Sequence, residues 1–237
     1  MNSFGQTDKG YARVMNQDCY LIDEKNNAIL AVVCDGIGGH QAGDVASRMT
    51  CEALKKYFEK NFDGRAEWWL KNALKRVNKV VYEKGKSDPA FKGMGTTMVA
   101  AIMTEDKLYV LNVGDSRAYV LSDGNQLVQI SEDHSLVNDL VKKEGMDPEK
   151  AREIGQHVIT KAIGIWPTTD GDLFEVTDSF KSLMLCSDGL HNYVPAFEIV
   201  DVLSNKNLSG YEKCQKLIDS ANDAGGFDNT TVVIVER

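Results

Sequence analysis

The chain has 237 residues, 43% hydrophobic and 26% charged, with 27 Lys and Arg against 35 Asp and Glu and a formal net charge of −8 at pH 7. That composition excludes disordered, collagenous and low-complexity chains, and the length supports a core that needs neither disulfides nor a structural metal. The acidic balance lacks the footprint of a protein that grips nucleic acid or an anionic membrane, so neither is expected as a partner.

The first ten residues, Met1 to Gly10, lack the basic and then apolar pattern of a signal peptide. Ile29–Cys34 is a short β-branched run and predicts a strand, far below the roughly 20 apolar residues of a membrane span. Val45, Met49, Ala53 and Tyr57 recur four apart, with Leu54 and Phe58 beside them, and predict a helix over about residues 43–60. Leu70, Leu74, Val77 and Val81 predict a second. Thr96–Met103, Leu108–Val113 and Ala118–Leu121 predict strands, the last two joined as a hairpin through Gly114-Asp115-Ser116-Arg117. Ser122-Asp123-Gly124-Asn125 offers a further hairpin turn. Residues 136–157 are polar and broken by Gly145 and Pro148, which predicts a surface flap. Leu183–Cys186 and Thr231–Val235 predict strands, and Ala196–Leu203 and Tyr211–Ala224 predict helices. Only four prolines, no linker and no repeat predict one domain over residues 1–237. Strands clustered apart from blocks of helix predict an α+β fold, not regular βαβ alternation. The five cysteines are scattered without a CxxC pair, which predicts reduced thiols and a cytoplasmic protein.

The chemistry is carried by aspartates at strand ends. Asp35 follows Ala-Val-Val-Cys and precedes Gly36-Ile37-Gly38-Gly39; Asp115 follows Gly114; Asp188 precedes Gly189; Asp228 follows Gly225-Gly226-Phe227. One such Asp ordinarily just starts a turn. Four that converge would repel one another unless a cation stood between them, and all-oxygen ligands select hard divalent ions over zinc. The four histidines stand singly, without zinc spacing. Arg13, near Asn16-Gln17-Asp18, suits a phosphate grip, whereas Arg117 inside its turn is expected in a structural ion pair. Hard ions, carboxylates and an arginine together indicate phosphoryl chemistry. No P-loop is present, the glycines after Asp35 miss the dinucleotide-binding pattern, and Gly93-Met94-Gly95 is expected to be a turn into a buried strand. Strand-Asp-Gly also suits a phosphatase working through an aspartyl phosphate, but Ile37 occupies the place of the second Asp such enzymes use.

Six elements together resemble the metal-dependent type 2C serine/threonine protein phosphatases in their compact bacterial form. They are Arg13-x-x-Asn16-Gln17-Asp18, Asp35-Gly36-Ile37-Gly38-Gly39, Gly95-Thr96-Thr97, Gly114-Asp115-Ser116-Arg117, Ser187-Asp188-Gly189-Leu190 and Asp228-Asn229-Thr230-Thr231, which span residues 13–231. The resemblance implies a four-layer αββα sandwich, two central antiparallel sheets between outer helices. It implies hydrolysis of phosphoserine and phosphothreonine in proteins by water activated between two Mn²⁺ or Mg²⁺ ions, without a phosphoenzyme. Asp35 would bridge the ions, the Gly36 carbonyl would join the first, and Asp188 and Asp228 would hold the second. Asp115 with Asp188 would match a weaker third site, Asp18 would act through water, and Arg13 would bind the substrate phosphate. Ile37 replaces a histidine proposed as general acid in animal members, leaving that role to water or to His40. The family analogy adds phosphoprotein partners made by a serine/threonine kinase, and a monomer is expected. Two rivals are a phosphoprotein-binding module without catalysis, which would need a broken carboxylate set, and hydrolysis of small phosphate esters.

Overall fold

A strand buried on both faces loses the polar alternation of a half-exposed sheet, and Ala28–Ile37 is such a strand, with every residue from Ala28 to Cys34 buried. The computed structural model describes residues 1–38, 42–155 and 158–237. Strands β1 (Asn2–Asp8), β2 (Asp18–Lys25) and β3 (Ala28–Ile37) precede two long helices, α1 (Ala42–Asn61) and α2 (Ala66–Ser87). Then come β4 (Gly95–Thr96), β5 (Met98–Met103), β6 (Leu108–Val113), β7 (Arg117–Ser122) and β8 (Leu127–Gln129). Short helices α3 (Leu136–Glu144) and α4 (Pro148–Gly155) lead to β9 (Asp172–Val176) and β10 (Phe180–Cys186). The chain closes with α5 (Asp188–His191), α6 (Ala196–Ser204), α7 (Gly210–Asp223) and β11 (Thr230–Glu236).

The strands form two antiparallel sheets, one ordered β1-β11-β10-β7-β8, the other β2-β3-β5-β6-β9 with β4 extending the pairing of β3. Side chains of alternate parity serve different layers. Ile29, Ala31 and Val33 face Leu183, Leu185, Val233 and Val235 across the gap between the sheets. Leu30, Val32 and Cys34 face the stripe of α1 and α2, where Leu54, Phe58, Trp69 and Leu70 are fully buried. On the far side Met184, Cys186, Val232 and Ile234 meet Leu217 and Ile218 of α7 and Ile199 of α6. The expected αββα sandwich is therefore the architecture, and it explains why these strands read as continuous apolar runs.

Two expectations need correction. Leu108–Val113 and Ala118–Leu121 are strands but not a hairpin: β6 lies in one sheet and β7 in the other. The turn at Gly114 (φ +106°) carries the chain across the sandwich, packed against the Thr97 side chain. A sheet-switching corner and a hairpin use the same Gly-Asp turn chemistry, so only the two-faced burial of both strands separates them. The run Thr96–Met103 is split at Thr97 into β4 and β5, for a reason that belongs to the site. The turn at Ser122–Gln126 does close a hairpin, β7 to β8, with Asn125 at φ +59°. Residues 136–155, within the expected flap, fold as α3 and α4, with Ser135 capping α3 and Gly145 (φ +67°) ending it. Strands β1, β2 and β9 carried no clear apolar pattern, because each is only partly buried.

Candidate active site

The antiparallel register places Asp18, the first residue of β2, directly opposite Asp35 on β3. Like charges facing each other across a ladder are destabilising unless something else offsets them. Opposite Asp35 on its other side the ladder changes partners: the Asp35 N–H donates to the Thr97 hydroxyl (2.9 Å), while the Thr97 N–H donates to the Asp35 carbonyl (2.8 Å). That side-chain substitution is what interrupts β4–β5. The Thr97 hydroxyl also pairs with Ser116 Oγ (2.7 Å), tying Asp35 to the corner that carries Asp115. Gly36 sits where a Cβ would lie 2.2 Å from the Gly43 carbonyl oxygen and 2.6 Å from that of Gln17, so only glycine lets α1, β2 and β3 approach here.

Asp188 opens α5, and the next residue, Gly189, abuts the Asn229 carbonyl oxygen, 2.0 Å from the position of a Cβ. Asp228 stands just before β11 on a loop held by Asn229. The Asn229 amide donates to the carbonyls of Lys9 (2.9 Å) and Met15 (3.1 Å), and its Oδ1 accepts from the Gln17 N–H (2.8 Å). The Arg13 guanidinium donates to Asp228 Oδ2 at 2.6 Å while remaining 55% exposed.

Asp35, Asp115, Asp188 and Asp228 thus line one cleft of about 380 Å³, together with Arg13, Gly36, Ile37, Thr97, Tyr193 and Phe227. Asp18 lies behind it, buried. Its Oδ2 accepts from the hydroxyls of Ser187 and Thr231, each at 2.7 Å. Behind Thr231 the chain of hydroxyls continues through Thr7 to the Asn16 amide. Asp18 Oδ1 is buried with no hydrogen-bond partner. Burial, then repulsion from Asp18, Asp188, Asp115 and Asp228, pushes the Asp35 carboxyl well above the carboxylate range. Burial raises Asp18 to about 7 against the pull of its two hydroxyl donors. Burial, then Asp188 and Asp133, raises Asp115 to about 7. Arg13 is the one cationic side chain among the described residues lining the cleft. An orphaned buried carboxylate oxygen, two facing aspartates and an all-oxygen donor set fit hard divalent cations. The carboxylates line the cleft walls; among the described residues no three Asp, Glu, His or Cys side chains close into a ready cage.

These shifts make the metal-free protein less stable as pH rises. A carboxyl raised from 3.8 to about 7 binds a proton in the folded state that the unfolded chain has released. Its contribution is complete below the ordinary carboxylate range and is lost as pH rises through about 7. His191, lowered to about 4 by burial, opposes this as one group against three. In chelator the thermal midpoint is expected to fall between pH 5.5 and pH 8. A midpoint that rises over that interval would contradict the charge arrangement.

The other sequence expectations divide. Arg117 is the structural ion pair expected of it, gripping Asp133 through Nε (2.9 Å) and Nη2 (2.6 Å) and the Tyr119 hydroxyl through Nη1. His40, expected as a general acid, lies outside the described residues, as does His157 at the end of the flap. His191 sits behind the corner on the Asp115 carbonyl oxygen (3.1 Å) rather than in the cleft. The positioning roles of Thr97, Ser187, Asn229 and Thr231 were not assigned from sequence. All four lie in the short motifs, yet a hydroxyl or amide beside an Asp has no signature that separates a positioning partner from a turn residue.

The profile of the protein phosphatase 2C family matches residues 11–217. The serine/threonine phosphatase Stp of Listeria welshimeri is 38% identical over all of this chain and 96% of its own length. The crystal structure of serine/threonine phosphatase Stp1 from Staphylococcus aureus superposes with a TM-score of 0.90 at 36% identity, covering 99% of this chain and 94% of that one. The catalytic domain of the serine/threonine protein phosphatase PstP, solved in complex with two manganese ions, gives 0.86 at 30% identity, covering 99% and 97%.

Proposed function

The chain belongs to the protein phosphatase 2C family, and on that footing we propose that it removes phosphate from phosphoserine and phosphothreonine in proteins by direct attack of water, with no phosphoenzyme. One observation carries this reading: aspartates from separate parts of the chain line a single cleft beside a solvent-facing arginine. Asp35, the Gly36 carbonyl, Asp188 and Asp228 would hold two divalent ions, Asp18 would act through water, and Asp115 would serve a weaker third. Such ions, when bound, acidify water and neutralise phosphoryl oxygens. Manganese is the first choice because the PstP relative was solved with it, and Mg²⁺ the second.

Arg13 would take two phosphate oxygens in its planar fork, with Asp228 setting its orientation. Direct water attack is supported by the side chains around the cleft. Among the described lining residues there is no cysteine or serine, the Thr97 hydroxyl is engaged with Asp35 and Ser116, and the aspartates are the groups proposed to hold the ions. The same lining contains no histidine, and Ile37 cannot give a proton. Leaving-group protonation therefore falls to water, or to His40. The intact carboxylate set speaks against a non-catalytic phosphoprotein binder.

A serine/threonine kinase would supply the substrates, and the enzyme would act as a cytoplasmic monomer in one domain, with the segment 136–157 as its flap. Among the described residues no helix is long and apolar enough to cross a membrane. The test is phosphate release from a phosphothreonine peptide and from small metabolite phosphates. Release from the peptide is expected with Mn²⁺ and should stop on chelation. Activity that persists after exhaustive chelation would end the metal assignment, and acid-stable label on the protein after quenching would end direct attack. Faster turnover of the small esters would favour the rival substrate class.

A further inference from the structure

Three large apolar side chains stand in solvent around the arginine. Tyr11 is 73% exposed, Val14 95% and Phe227 54%, and the Phe227 ring lies 5.3 Å from that of Tyr193. Surface apolar groups scattered singly need no explanation, but these belong to two loops fixed against each other beside one cleft. The N–H groups of Tyr11 and Ala12 both donate to the Gly226 carbonyl (2.8 and 3.0 Å). Gly10, at φ +72°, packs where a Cβ would meet the Asp228 carbonyl oxygen at 2.4 Å, and Gly226 backs onto the Tyr11 ring. The loops are pinned by backbone and by Asn229, so the side chains they display cover no core. Rigid aromatic groups held out on fixed backbone lose little entropy when a ligand covers them.

Phe227 and Tyr193 line the same cleft as Arg13 and Asp228. Tyr11 and Val14 flank Arg13 in the chain. A phosphoryl group that reaches Arg13 therefore has the Phe227 and Tyr193 rings beside it, with Tyr11 packed on Gly226 next to Phe227. Small polar phosphate esters have nothing to place there, and a peptide does.

We propose that Tyr193 and Phe227, with Tyr11 beside them on Gly226, form an apolar shelf that selects phosphopeptides with an apolar side chain next to the phosphorylated residue. This rests on the phosphatase reading above and adds the substrate feature that reading leaves open. The shelf is open on one side, so its discrimination falls at the low end of what apolar pockets achieve, about five- to tenfold in kcat/KM.

The experiment uses two phosphothreonine peptides that differ only in Leu or Ser on both sides of the phosphothreonine, with the Mn²⁺-loaded protein. The readout is the ratio of their kcat/KM values on one preparation, so a general loss of activity in a variant cancels. The wild-type protein is expected to favour the Leu peptide about five- to tenfold, and Tyr11→Ser combined with Phe227→Ser to bring the ratio near one. A wild-type ratio near one overturns the shelf and needs no variant. A ratio that survives in the double variant also overturns it by placing the preference elsewhere. Hydrolysis of neither peptide removes the phosphatase reading and the shelf with it, whereas equal hydrolysis of both removes the shelf alone.

Discussion

Asp35→Asn is expected to cut turnover by on the order of 10³-fold, about 4 kcal/mol of barrier, while raising the thermal midpoint of the metal-free protein. The two effects share one cause. Asp35 is half-buried among four other carboxylates, and its own carboxyl is pushed far up by desolvation and by their charge. An amide of the same shape ends that repulsion, and it also removes a carboxylate charge that would help hold the cations. Ligand linkage supplies the third readout, because an ion that binds only the folded state raises the midpoint in proportion to its affinity. Added Mn²⁺ should shift the wild-type midpoint upward and the variant much less. A variant that keeps near-normal turnover would remove Asp35 from the metal assignment. A variant that loses turnover and stability together would identify Asp35 as a folding residue instead.

Arg13→Ala is expected to raise KM for a phosphopeptide by roughly 10- to 100-fold, the range for loss of hydrogen bonds to a charged group. The Arg13 guanidinium is 55% exposed and paired with a single carboxylate oxygen, so its deletion should scarcely change stability. Asp228, freed of its ion pair, should hold a cation at least as well as before. The Mn²⁺ concentration for half-maximal activity is therefore expected to stay level or fall while KM rises. Arg13→Lys should recover only part of the loss, since an ammonium cannot present two parallel donors. Unchanged KM and kcat in the alanine variant would take Arg13 out of the site.

Much of this was legible in the sequence because burial on two faces writes long apolar runs, and β3, β5, β10 and β11 carry them. The stripes of α1, α2, α6 and α7 were equally plain, their observed ends lying within a few residues of the expected ones for α1, α6 and α7. The aspartates at strand ends were visible as Asp next to Gly or, for Asp228, just after a Gly-Gly turn, and four of them do line one cleft. What the sequence did not reveal was long-range or partial. β1 is an edge strand whose polar sequence is held by its ladder to β11. The corner at Gly114 turns on which sheet accepts β7, a decision taken by β10 some sixty residues later. Asn229 acts by reaching Lys9 and Met15 from the opposite end of the chain, a partnership no local pattern encodes.

Asp18 and Asp35 belong to one layer of the sandwich, and Asp188 and Asp228 adjoin strands of the other. The acidic cleft therefore lies on the seam where the halves meet, and whatever neutralises it fastens the halves together like a keystone. A cation bound there would tie the protein's mechanical integrity to its charge balance.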